Sequence, residues 1–175
     1  LEKAKKIINS ALKLYPRNLL LNQYKQDLNK NKNISVFNCK QEEHVISEIL
    51  YITSNALSLQ SIYPLSNFYL NIAKYLNEGF LSYNTLLAEN FYKINNFKKA
   101  KKIYSKLGKH SKIFHWYSSK QLARIFIEEK NKSEALKLIK ISYDSLASKN
   151  IYETFDYAEF LKNNEKFKES IPLFT

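Results

Sequence analysis

The chain is poor in the residues that interrupt regular structure. Among 175 residues it has only 2 glycines and 3 prolines. That scarcity argues against a loop-rich β-fold and for long helical runs. Gly79 and Gly108 are the only glycines, so no glycine-rich phosphate loop can be built. No nucleophile elbow is present either. Cys39 is the sole cysteine, which excludes an intrachain disulfide and leaves the redox compartment open. His110 and His115 are five apart and would face different sides of a helix, and His44 is far away, so no metal-ligand spacing arises. Glu42, Glu43, Glu128, Glu129 and Asp156 read as isolated acids without a partnered base. We therefore expect no enzyme, no cofactor and no metal site. No run of about 18 uncharged apolar residues occurs, so no membrane-spanning helix is expected. Methionine is absent and the chain opens on a partial pattern, which places the expected true N-terminus upstream. The reading is of a soluble segment, cytoplasmic or periplasmic, with the compartment undetermined.

What is present is apolar bulk and positive charge. Hydrophobic residues make up 45%, ample for a packed core. The formal net charge is +12, but Arg17 and Arg124 are the only arginines. The surplus of Lys, Asn, Ile, Tyr and Phe is what an AT-rich coding sequence would produce. In the densest basic run, Lys98, Lys99, Lys101, Lys102, Lys106, Lys109 and Lys112 spread around a helix rather than forming one stripe. We read the charge as a solvated surface.

Residues 81–104 carry the clearest local pattern. Leu87, Ala88 and Phe91 share one helix face, Asn95-Asn96 supply turn chemistry, and Phe97, Ala100 and Tyr104 line a second helix. Alanines 88 and 100 would let the two helices approach closely. Elsewhere helices are expected over residues 1–16, stopped at Pro16, and from about Leu19 to Leu28. A non-periodic connection follows at about 30–41. Helical periodicity resumes at Glu42, where Ile46, Ile49, Leu50, Thr53, Ser54 and Leu57 form one helix, and Pro64 falls in the first turn of the next helix. Later helices are expected at 116–129, around Ala135 and Ile139, at 151–162 with Tyr157, Ala158 and Leu161, and around Phe167, Ser170 and Phe174.

The second helices align at Ser66, Ala100, Ala135 and Ser170, in steps of 34, 35 and 35. Nine residues before each stands Leu57, Phe91, Phe126 or Leu161, and four after stands Leu70, Tyr104, Ile139 or Phe174. This pattern resembles the tetratricopeptide repeat (TPR), of bacterial type, a 34-residue helix-turn-helix. The matching stretches are Asn84-x2-Leu87-Ala88-x2-Phe91 with Ala100-x3-Tyr104, and Ser119-x2-Leu122-Ala123-x2-Phe126 with Ala135-x3-Ile139. The family's Trp place never holds Trp, its Gly place holds Ser54, Ala88, Ala123 or Ala158, and its Pro is absent from the later units.

The resemblance implies an all-α solenoid of hairpins in a right-handed superhelix. Residues 1–16 would be the second helix of a truncated repeat, 17–46 a helix plus irregular connection, 47–80, 81–115 and 116–150 full repeats, and 151–175 a repeat truncated in its second helix. The implied function is a non-catalytic scaffold or adaptor that binds a peptide or helix of a partner protein in a concave groove lined by first helices. By repeat position the groove would present Tyr51, Asn55, Tyr92, Tyr117, Lys120, Arg124, Tyr152 and Phe155. The carboxylate clamp of chaperone-binding TPR domains is not expected: its places hold Tyr51 and Asn55, Leu86, then Tyr117 and Gln121, and only Asn55 fits. Nucleic acid is not the expected partner. The alternatives are an RNA-binding helical repeat, given the charge, or a structural segment of a larger protein.

Overall fold

The computed structural model describes residues 2–32 and 36–174, and within them all regular structure is helical. The order is α1 (Glu2–Leu14), α2 (Leu19–Asn29), α3 (Glu42–Leu59), α4 (Tyr63–Leu76), α5 (Ser82–Lys93), α6 (Phe97–Leu107), α7 (Lys112–Glu128), α8 (Lys132–Asp144), α9 (Ile151–Asn163) and α10 (Phe167–Ser170), then a 3₁₀ turn at Ile171–Leu173. The chain divides into two compact units, residues 1–107 and 108–175. In the first, α1 packs on α2, α3 on α4, α4 on α5 and α5 on α6; in the second, α7 packs on α8, α8 on α9 and α9 on α10. Consecutive neighbours pair, as an all-α helical repeat requires.

One pairing of positions is common to four hairpins. A small residue of the first helix is followed twelve positions later by a small residue of the second: Ser54 and Ser66, Ala88 and Ala100, Ala123 and Ala135, Ala158 and Ser170. All eight are buried. Where serine stands in the second helix, its hydroxyl donates to the first helix's backbone: Ser66 Oγ to Ser54 O, and Ser170 Oγ to Ala158 O, both 2.8 Å. A hydroxyl at this close approach is thus satisfied by the neighbouring backbone, and alanine serves equally.

The turns repeat with the same period. Ser61, Asn95, Lys130 and Glu165, in steps of 34, 35 and 35, all have positive φ, 58° to 65°. Each ends its helix in the same double bond: at α5, Asn95 N–H donates to Tyr92 O (2.9 Å) and Asn96 N–H to Phe91 O (2.8 Å). This is the Schellman motif. Asn31 ends α2 in the same way, with φ 54°. Asparagine tolerates this conformation; serine, lysine and glutamate hold it under strain.

The structure departs from the sequence reading at three places. Helix α7 begins at Lys112, not 116, because the Ser111 side chain accepts from Phe114 N–H and caps it early. His115 therefore lies inside the helix. After Ser170 the last helix tightens to 3₁₀, where Pro172 has no N–H for an α-helical bond; Ser170 is buried while Phe167 and Phe174 are exposed. Among the periodic residues of α3, Ser54 is buried and Leu50 and Leu57 half-buried, whereas Ile46, Ile49 and Thr53 are exposed. The expected connection at about 30–41 agrees with the structure: α2 ends at Asn29 and α3 starts at Glu42, residues 33–35 lying outside those described. Asn77 Nδ2 donates to Val36 O at 2.9 Å and ties its far end to α4.

Candidate interaction surface

In the first unit the side chains of α3 and α5 divide between holding the stack and facing out. Tyr51 belongs to the stack. Its ring meets Phe80 at 5.5 Å and Tyr83 at 5.4 Å, and Phe80 meets Tyr83 at 4.9 Å, in tilted or edge-to-face geometry. Burial pushes the Tyr51 phenol up, with Glu48 adding to the rise and a Ser82 hydrogen bond opposing it. Tyr83, raised chiefly by burial, donates from its hydroxyl to Ser47 Oγ at 2.9 Å. Asn55 is exposed one turn beyond Tyr51, and Tyr92 is half-buried with its ring 5.7 Å from Phe97.

Behind this face lies a polar cluster that periodicity did not reveal. Asn90 is fully buried, donates from Nδ2 to Ser66 Oγ (2.8 Å) and Asn67 Oδ1 (2.9 Å), and accepts from Ser58 Oγ (2.6 Å). It links α3, α4 and α5 through one side chain. A lone Asn inside an apolar stripe was the available signal.

In the second unit Lys120, Arg124 and Asp156 come together between α7 and α9. Lys120 pairs with the Asp156 carboxylate, and its Nζ also stands 5.7 Å from the centroid of the Trp116 ring. Asp156 is thus not the isolated acid that the sequence suggested. One repeat step of 35 carries position 120 to 155, so Asp156 sits beside the matching place on the next first helix. With Gln121, Glu128, Glu159 and Asn163, these side chains line an open cleft of about 380 Å³. Its wall combines cations, carboxylates and amides with the apolar Ile127 and Phe160, which suits an extended peptide with both polar and apolar groups.

The other three expected residues do not line this cleft. Tyr117 is half-buried; Tyr152 and Phe155 are exposed, Phe155 meeting Phe174 edge-on at 5.7 Å. The structure therefore brings Lys120 and Arg124 together and assigns Tyr51 largely to packing. Among the described residues no three or more His, Cys, Asp or Glu gather as if for a metal ion, and no helix is long and apolar enough to cross a membrane. No protein-family model matches the chain, and no curated protein matches it in sequence.

Proposed function

We propose that this chain is a TPR-like, non-catalytic scaffold that holds a peptide or helix of a partner protein against its first helices. The observation that carries the reading is the pair of buried small residues at one fixed offset in four hairpins, spaced 34, 35 and 35 residues apart. Side chains that repeat in this way are used up as glue between helices, and the remaining first-helix faces are available for a partner. In the second unit the partner's main chain would lie in the Lys120–Arg124–Asp156 cleft, whose charges and amides offer both donors and acceptors.

Capture from native lysate tests it, comparing the wild type with Lys120→Ala/Arg124→Ala/Tyr152→Ala after circular dichroism has shown both to be folded. Loss of specific proteins from the triple variant supports the groove, and identical protein sets remove it. The RNA reading is separated by titrating mixed single-stranded RNA at ~50 mM salt, where phosphate contacts are strongest. No binding there is the expected outcome.

A further inference from the structure

The outward face of α3 is apolar where an exposed helix face is ordinarily polar. Val45, Ile49, Ile52, Ala56 and Leu59 follow one another by four, three, four and three residues, the spacing of a coiled-coil seam. They lie opposite the buried Ser47 and Ser54. Ile49 is 58%, Ile52 61% and Leu59 82% exposed. On α6, by contrast, the exposed side carries Lys98, Lys99, Lys102 and Lys106.

The charge pattern of the sequence changes at the same place. In a chain of net charge +12, no lysine or arginine occurs between Lys40 and Lys74. The charges in that stretch are Glu42, Glu43 and Glu48, all in the first half of α3, and its second half is uncharged. Two copies of this chain repel one another over most of their surface; here they would not.

We infer that α3 is a self-association helix whose seam packs antiparallel against α3 of a second copy across a two-fold axis. Antiparallel pairing sets Ile49 opposite Leu59 and Ile52 opposite Ala56, so that large residues meet complementary ones in both directions. It also lays the acidic half of each helix along the uncharged half of the other. Parallel pairing would set the two acidic halves side by side. The seam shares α3 with the groove reading, but self-association reports on the seam alone, so the two readings fail separately.

Sedimentation of the Cys39→Ser chain tests the inference, since Cys39 is exposed and could cross-link by itself. A dimer is expected at concentrations of about 1–100 µM, within the micromolar range of modest interfaces. Raising salt from ~0.05 to ~0.5 M should tighten it or leave it unchanged, because screening relieves the repulsion between two basic chains. Ile52→Lys should weaken the dimer at least ~100-fold with the helical circular dichroism intact, the cost of setting a charge in a seam. Phe68→Lys, on the exposed face of α4, should leave it unchanged. In an equimolar mixture, Ile52→Cys and Ala56→Cys chains should form the mixed disulfide in preference to either homodimer. A monomer up to about 100 µM overturns the proposal. So does a dimer that survives Ile52→Lys, or one lost with Phe68→Lys instead. Preferential Ile52→Cys self-cross-linking overturns the antiparallel arrangement.

Discussion

Residues 90 and 125 are 35 apart and occupy the same place in their hairpins, yet one is Asn and the other Ile. Both are fully buried. In the first unit Asn90 joins three helices by hydrogen bonds; in the second, the helices are joined by aromatic bodies, with Tyr143 stacked on Tyr157 at 4.3 Å and Trp116 at 6.0 Å from Tyr143. One hairpin geometry thus accepts two kinds of glue. The small-residue pair sets how closely the helices approach, and the space beside it can be filled by a satisfied amide or by apolar volume. What it cannot accept is a half-satisfied amide.

Exchanging the two residues breaks this comparison most sharply. Ile125→Asn would bury an amide where no cluster exists to receive it, at a cost of about 3–4 kcal/mol. Asn90→Leu would leave Ser58, Ser66 and Asn67 short of a partner, at about 3 kcal/mol. Urea unfolding measures both. Trp116 is the only tryptophan, so its fluorescence reports the second unit, and hydrogen exchange in α5 reports the first. A loss under about 1 kcal/mol for either would mean that the polar and apolar fillings are interchangeable.

The aromatic glue carries its own pH dependence. Burial, aided by Asp144, Glu169 and Tyr143, pushes the Tyr157 phenol from 10.0 up to about 12. The folded state thus favours the neutral phenol over the phenolate. Its contribution is complete below pH 10 and is lost as pH rises toward about 12. Tyr157→Phe should flatten the fall in stability over that interval, as followed by Trp116 fluorescence. An unchanged alkaline slope would refute the assignment.

The smallest expected effect sharpens the comparison at the turns. The first unit places asparagine at the left-handed positions 31 and 95 and serine at 61, while the second uses Lys130 and Glu165. Lys130→Gly should stabilise by about 1 kcal/mol by relieving backbone strain, and Asn95→Gly by only a few tenths. Thermal unfolding of the two variants measures the difference. Equal gains would mean that residue type does not govern the strain.

Much of the fold was legible because helical packing leaves periodic marks. Ala88, Ala100, Ala123 and Ala135 were found by spacing, since a close approach between helices admits only small side chains and recurs once per repeat. Pro16 and Asn95 marked their turns through backbone chemistry. The α7 start was missed because Ser111 looks like one polar residue among several until its side chain is seen to accept from Phe114 N–H. The groove was only partly legible. Repeat position says which way a residue faces, but not what its neighbour offers: Tyr51 meets Phe80 and Tyr83, and Lys120 meets Asp156. The exposure of Ile49 was not legible, because a strip of apolar residues on one helix does not say which strip is covered.

The sequence by itself determined the helical class, the hairpin period and the close contacts, because these follow from local propensity and from the steric size of side chains at fixed offsets. Only the tertiary structure decided which polar groups satisfy one another and which apolar face of α3 stays outside. Hydrogen-bond partners such as Ser58, Ser66 and Asn90 lie up to 32 residues apart, and burial depends on the neighbours that the folded chain supplies.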